Sequence, residues 1–378
     1  MKLIIIGGGA SGLMLASILK KSNANIEFEI VEKLDHVGKK ILMSGNGKCN
    51  LSNAHITNLS YNNELGYEIS SSFNVEQYFN ELGLLTYKDN EGRIYPISNV
   101  SNSVLDVLRE SIKDVKVHTS TNIIRVIKKE NKYILTSDKN IKFEADIVAF
   151  ATGGKTYYKE NNSYAIASML SHRIMPLRPT LTSLKVKENL ASIENIRAKV
   201  KASLICDNKM IFQDKGEVLF KKDGLSGIVI FQLSSYVARN PFKKYQIKLD
   251  LLPEMSKDKI IDYLNKYNSM TGLFPKMINQ YILKSSENKN ENIAYTIKSL
   301  TFNVIDTIEF KNAQVTSGGI NTSELKVTLE SKYNDNLYFL GEVIDVDGMC
   351  GGYNLHFAFS CANTVAQDII KKVSDGNE

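Results

Sequence analysis

Lys2-Leu3-Ile4-Ile5-Ile6-Gly7-Gly8-Gly9-Ala10-Ser11-Gly12 opens the chain, and a second stretch, Phe28-Glu29-Ile30-Val31, ends about twenty residues later in Glu32. The apolar run reads as a buried strand and the glycines as the turn into a helix expected over Ala10 to Lys21. In such a unit Gly7 makes the tight turn, Gly9 lets the backbone approach a pyrophosphate, and Gly12 lets the helix pack closely on the strand. The first helical turn, with Ala10 and Ser11, aims its positive end at the phosphates. Glu32 can accept hydrogen bonds from both ribose hydroxyls and would repel a phosphate esterified there. The acid therefore selects FAD or NAD over NADP, and Lys33 beside it belongs to the same expected set. A glycine turn that bound nothing would leave the acid without a purpose.

With 378 residues the chain exceeds the usual single-domain size, so two or three domains are expected. The 43% apolar share suits a globular protein with a substantial core. No apolar run is long enough to span a bilayer, and the first strand is too short and glycine-bound for a secretory signal. The reading is a cytosolic protein without a membrane partner. Cys49, Cys206, Cys350 and Cys361 lie far apart, with neither CxxC nor metal-ligand spacing, so neither a disulfide framework nor a metal site is expected. The net charge of +6 reads as a solubilising surface spread over many lysines. Nucleic-acid binding would show a concentrated basic stripe with interleaved aromatics, and none is expected.

Further along, the polar, glycine-rich stretch Gly38 to Asn53 is long for a plain connection and is read as a binding loop. Helices are expected at Val75–Leu82 and Val104–Ile112. Short strands follow at Val117-His118, Ile123–Ile127, Tyr133–Thr136, Ile141–Phe143 and Ile147–Phe150. They predict a small antiparallel meander and then a buried parallel strand, which ends in the small residues Ala151-Thr152-Gly153-Gly154. Pro176 and Pro179 mark a boundary. Beyond it, strand-like segments (Ala202–Cys206, Met210–Gln213, Gln246–Leu251) precede helical ones (Lys257–Tyr267, Lys276–Lys284, Ile293–Lys298) without a phosphate loop.

Cofactor-type signals return at the end. Val315-Thr316-Ser317-Gly318-Gly319 precedes a strand at Leu337–Leu340, then Gly341-Glu342, the turn Cys350-Gly351-Gly352-Tyr353-Asn354, and a helix from Leu355 to about Lys371. Glu342 can accept from the ribityl hydroxyls of FAD. The last helix, beginning near Asn354, can stabilise negative charge on the reduced flavin ring. An NAD-only dehydrogenase needs no such second segment, so FAD is the expected cofactor.

These motifs resemble the BaiN-type family of bacterial NAD(P)/FAD-dependent oxidoreductases, also described as the aminoacetone oxidase family. The resemblance spans nearly the whole chain. It is carried by Gly38 to Asn50, Gly92-Arg93-Ile94-Tyr95-Pro96, Ala151 to Lys155, Asp223-Gly224-Leu225-Ser226-Gly227, Thr316 to Gly319, and Gly341 to Asn354. It implies an α/β fold: a Rossmann-like FAD domain of the glutathione-reductase kind, with a β-meander, split around an inserted β-barrel and a small helical subdomain. The corresponding boundaries are 1–181, 182–310 and 311–378. By the resemblance, Ser44, Gly45, Asn46 and Asn50 line the flavin and ribityl side. Lys40 and Ile41 lie along the cofactor, and the backbone near Ile123 meets the adenine. Thr152, Gly153 and Leu355 complete the expected set.

Two stretches depart from the family pattern: Glu160-Asn161-Asn162-Ser163-Tyr164, and Lys221-Lys222 with Ile228. Both are expected on the substrate side. Tyr353 as proton donor and His356 as relay are the candidate catalytic residues. Cys49 and Cys350 lie within two FAD-facing motifs and read as small buried thiols or as a redox pair. Asp345 and Asp347 read as turn caps, and Arg93 with Tyr95 as closing the flavin pocket. The expected reaction passes hydride from a transiently bound NAD(P)H through FAD to a small-molecule acceptor. By the resemblance, that acceptor is a conjugated carbon–carbon double bond of a steroid-like enone. The alternatives are an oxygen-dependent amine or aminoketone oxidase, and a flavin-containing partner for RNA or protein. No obligate protein partner is expected.

Overall fold

The computed structural model describes residues 1–156, 162–286 and 289–375. Its contacts divide the chain into two compact units, Met1–Leu177 with Val315–Glu378, and Arg178–Gln314.

In the first unit five parallel strands form one sheet, in the order Leu337–Phe339, Ile147–Phe150, Lys2–Ile6, Glu27–Val31, Lys116–His118. The two central strands, Lys2–Ile6 and Ile147–Phe150, are apolar almost without interruption because helices cover such a sheet on both faces. Leu3, Ile4, Ile5 and all of Ile147–Phe150 are buried. The helix Ala10–Ser22 packs against the last helix, Tyr353–Asp375, so the two ends of the chain share one core. Ile123–Lys129, Lys132–Ser137 and Lys142–Ala145 form the antiparallel meander.

Several elements differ from the sequence reading. The last helix starts two residues before Leu355 and runs to Asp375. A small sheet of Ser52–Asn53, Arg93–Pro96 and Thr86–Lys88 and a helix at Glu64–Ser71 were not anticipated. Their strands are too short to show a period. Pro176 and Pro179 lie within a strand, Ile174–Thr180, of a two-stranded ribbon with Val315–Ile320. A ribbon tolerates proline because every strand in it is an edge.

The second unit is a closed six-stranded barrel in the order Leu184–Val186, Gly224–Ser226, Lys209–Lys221, Arg197–Cys206, Tyr245–Asp250, Leu300–Thr307. Along Arg197–Cys206, Val200, Ala202 and Leu204 point inward and are buried, while Lys199 and Lys201 alternate outward. The helices Ile228–Arg239, Lys257–Tyr267, Lys276–Ser285 and Asn290–Lys298 belong to the same unit. Charge is not spread evenly. Arg178–Gln314 carries 22 Lys and Arg against 14 Asp and Glu, a net +8 that leaves −2 for the rest of the chain.

Candidate cofactor-binding site

The glycine-rich turn has the geometry its spacing implies. Gly7 N–H donates to the Val31 carbonyl at 2.8 Å, fixing the turn to the second strand. A Cβ on Gly12 would lie 1.9 Å from the Gly7 carbonyl oxygen, whereas one on Gly9 would meet nothing within 4 Å. Gly12 is therefore a packing requirement, and Gly9 faces open space. No side chain caps the helix that follows, so the amides of its first turn at Ala10 and Ser11 keep their anion-binding capacity. The Ser11 hydroxyl reaches the Leu340 carbonyl at 3.4 Å, joining this turn to the C-terminal strand.

Buried Glu32 spends one lone pair of each oxygen on the protein. Oε2 accepts from Gly8 N–H at 2.7 Å and Oε1 from Leu34 N–H at 2.8 Å. Each oxygen retains acceptor capacity for a ribose hydroxyl. Lys33 is held below the usual ammonium range by burial, which Glu32 partly offsets. Thr121 N–H donates to the Glu32 carbonyl at 2.9 Å, bringing the start of the Ile123 strand beside the acid.

Four distant segments meet at Glu342. Lys40 Nζ donates to Glu342 Oε2 at 3.0 Å and to Thr156 Oγ1 at 2.9 Å, while Thr316 N–H donates to Glu342 Oε1 at 2.9 Å. Thr316 Oγ1 in turn accepts from Lys155 N–H at 2.8 Å. A Cβ added to Gly153 would sit 3.7 Å from Lys40 Nζ, and Gly341 accepts from Ile344 N–H at 3.1 Å. Thr156 and Thr316 were absent from the expected site residues. The available signal was that Thr316 heads a Ser-Gly-Gly turn and Thr156 closely follows Gly153-Gly154.

A second junction forms where Ser44–Gly47 meets the last helix. Gly45 and Asn46 both adopt left-handed backbone, and Ser44 Oγ donates to the carbonyl of buried Ile41 at 2.7 Å. A Cβ on Gly352 would fall 2.7 Å from Asn50 Oδ1, so these segments touch without room for a side chain. Asn354 closes its own turn: its side chain accepts from Gly348 N–H at 2.8 Å and donates to the Gly348 carbonyl at 2.9 Å. The helix's own bonding begins when His356 N–H donates to Gly352, so the amides of Asn354 and Leu355 lie in its first turn.

The residues fit an FAD molecule. Asn50 Oδ1 and Thr152 Oγ1 are buried acceptors without a partner among the described residues. Such atoms normally find a partner, and a bound polar group is one. Together with the open space at Gly9, they mark a cradle for a polar ligand.

The residues expected to be reactive are engaged by the protein. His356 Nε2–H donates to the Ser70 carbonyl at 2.8 Å, which leaves Nδ1 to accept from Ser52 Oγ at 2.7 Å. Burial pushes its imidazole below the ordinary value, so the ring is neutral with both nitrogens occupied. The Tyr353 hydroxyl reaches the His55 carbonyl at 3.4 Å, and burial raises its phenol. Burial pushes the Cys49 thiol up to about 12 and raises that of Cys350, against the opposing field of Arg93. Neither cysteine is poised as a thiolate. Asp345 accepts from Gly318 N–H through Oδ1 at 3.2 Å, a turn contact. Among the described residues no cluster could hold a metal ion, and no helix is long and apolar enough to cross a membrane. In the first departing stretch, Glu160 and Asn161 lie outside the described residues, while Tyr164 is buried.

Residues 1–368 match the family described as HI0933-like protein Rossmann domain. The chain is 32% identical to the 3-dehydro-bile acid delta(4,6)-reductase of Clostridium scindens, over 94% of this chain and 96% of that protein. It is 25% identical to the ribosomal RNA dihydrouridine synthase of Haemophilus influenzae, over 98% of each. Among solved structures, the 3-ketosteroid delta1-dehydrogenase of Sterolibacterium denitrificans superposes with a TM-score of 0.51 at 10% identity, covering 98% of this chain and 99% of that one. That likeness shows the shared fold.

Proposed function

Because the chain belongs to the HI0933-like family of FAD-dependent oxidoreductases, we propose that it reduces a carbon–carbon double bond conjugated with a carbonyl, using NAD(P)H as a transient hydride donor. The observation that carries this reading is the convergence on Glu342 of Lys40, Thr156 and Thr316 from both ends of the chain, and the unpartnered acceptors of Asn50 and Thr152 support it. Bound there, FAD supplies two-electron hydride chemistry.

The chain's own residues do the rest. The first-turn amides at Ala10 and Ser11 hold the pyrophosphate, Glu32 the adenosine ribose, and Glu342 with Lys40 the ribityl side. His356 acts as a positioning residue, tying the start of the last helix to Ser52 and Ser70. Tyr353 remains the candidate proton donor. Its phenol is protonated at neutral pH and lies between the Ser60 side chain and a long contact to the His55 carbonyl, which a substrate oxygen can replace.

The named chemistry of the relatives supports this reaction class. Double bonds at positions 4 and 6 lie in conjugation with a 3-ketone, and dihydrouridine is uridine whose carbon–carbon double bond, conjugated with a ring carbonyl, has been reduced. Reducing such a bond with hydride places the hydride at the carbon remote from the carbonyl and a proton at the carbon beside it. The relative with the higher identity favours a steroid-like 3-keto-4-ene as acceptor. Anaerobic mixing of the yellow protein with NADH and with NADPH tests the proposal. The flavin should bleach, and a 3-keto-4-ene steroid should restore its colour. Rapid hydrogen peroxide release with an amine and no NAD(P)H consumption would instead establish an oxidase.

A further inference from the structure

The small sheet of Ser52–Asn53, Arg93–Pro96 and Thr86–Lys88 has two unlike faces. One turns Ile94 and Pro96 into the protein, and both are buried. The alternate residues point the other way. Tyr87 stands opposite Tyr95, and Ile97 N–H donates to the Leu85 carbonyl at 2.9 Å, which sets Leu85 beside Ile97 on that same outer face. Leu85 is 67% exposed and Ile97 57%, while the two tyrosine rings are half-buried and stack with centroids 5.8 Å apart. The Tyr87 hydroxyl donates to the Asn99 side chain at 2.6 Å, which fixes that ring. A stacked aromatic pair flanked by exposed aliphatic side chains makes a contiguous apolar surface, the kind that marks a binding site.

This outer face runs into both loops assigned to the flavin side. A Cβ on Gly45 would lie 3.7 Å from Tyr95 Cε1 and 2.9 Å from the Asn50 amide nitrogen, so the tyrosines border Ser44–Gly47. Arg93 stands opposite Asn53, whose side chain donates to the Gly351 carbonyl at 2.9 Å. A Cβ on Gly351 would in turn lie 3.5 Å from the Tyr353 ring. The face therefore ends beside the candidate proton donor. Its charge is settled internally: Arg93 engages Asp89 at 3.7 Å and also Glu91, one base against two acids. Lys88 alternates to the opposite face with Ile94. The outer face thus has no cation to spare for an anionic ligand.

We propose that Leu85, Tyr87, Tyr95 and Ile97 form the shelf on which the body of the acceptor lies, and that this shelf selects an uncharged fused-ring compound over one bearing a carboxylate. The assignment rests on the double-bond reduction, which requires the acceptor beside the flavin. The stacked rings offer a flat skeleton a surface to lie on, and the aliphatic pair extends it. The excess of acid at the Arg93 end repels a carboxylate side chain, so selection has a repulsive element as well as an attractive one.

The test is titration of the oxidised, FAD-loaded full chain with progesterone, an uncharged 3-keto-4-ene, and with 3-oxo-4-cholenate, which adds a carboxylate to the same ring system. Oxidised flavin reduces neither, so the flavin difference absorbance reads binding alone. Progesterone should bind at least about tenfold more tightly than the cholenate. The variant Leu85→Ser/Ile97→Ser should lose at least about tenfold of the progesterone affinity and keep its FAD affinity. Ile97→Lys should narrow or reverse the preference by tightening the cholenate. No progesterone binding by the wild type, wild-type progesterone affinity in the double variant, or a wild-type preference for the cholenate would each overturn the proposal. Shelf-dependent binding of progesterone that never reoxidises the dithionite-reduced flavin would support the shelf and remove the double-bond reduction.

Discussion

Glu342→Ala separates the two contributions that hold the ends of the chain together at the site. The carboxylate accepts from the Lys40 ammonium at 3.0 Å and from the Thr316 amide at 2.9 Å, and the ion pair is about one-fifth exposed on each side, at 22% and 20%. Alanine leaves the Thr316 N–H without its acceptor, at about 1–2 kcal/mol. It also leaves Lys40 with only Thr156, and partial exposure limits that loss to about 1 kcal/mol. The FAD-free protein should therefore lose about 2–3 kcal/mol. Glu342→Gln keeps an acceptor for Thr316 and should lose only about 1 kcal/mol. Urea denaturation followed by far-UV circular dichroism measures both, with the slope unchanged between variants. A double-mutant cycle with Lys40→Met should return a coupling of about 1 kcal/mol. Equal losses in the Ala and Gln variants, or no coupling to Lys40, would refute the assignment of Glu342 as the joint between the segments.

Three other perturbations probe the same region. Gly12→Ala, whose methyl would sit 1.9 Å from the Gly7 oxygen, should prevent stable folding, while Gly9→Ala should leave the FAD-free protein as stable as wild type and weaken FAD at least about tenfold in fluorescence titration. Thr152→Val removes an unpartnered buried hydroxyl, so thermal melting of the FAD-free protein should hold or rise while FAD affinity falls. His356 has a folded-state value below its unfolded one, so below about pH 6.5 the unfolded chain takes up a proton that the folded protein refuses. Its contribution is complete above that pH and is lost at up to about 1.4 kcal/mol per pH unit below it, until the folded-state value is reached. His356→Gln should flatten the acid limb of denaturation midpoints by that one proton, and an unchanged limb would contradict the neutral-ring assignment.

Much of the fold was legible because its signals are local. The run Leu3–Ile6 is apolar without alternation, as a strand covered on both faces must be, and its glycine spacing carries a backbone requirement. The meander was visible because polar turns such as Ser137–Asn140 separate its strands. What sequence concealed was partnership at long range. Lys40 meets Glu342 across most of the chain, and nothing in the local pattern of Thr156 or Thr316 says that both close the same cluster. His356 looked like a helix-start group free to act, but its partners Ser52 and Ser70 lie in the first fifth of the chain. The lysines of the barrel read as a spread solubilising charge, and on its wall the register interleaves them with acids: Lys199 stands opposite Glu217 and Lys201 opposite Asp250.

The central claim is that one end of the chain holds the ADP half of FAD and the other end the flavin half. Calorimetric titration of the FAD-stripped protein with FAD, and then with ADP, tests it most directly. One FAD should bind per chain, at least about a hundredfold more tightly than ADP, and Glu342→Ala should erode most of that difference without changing ADP affinity. Equal affinities for FAD and ADP would contradict it, because the C-terminal segment would then contribute nothing to holding the cofactor.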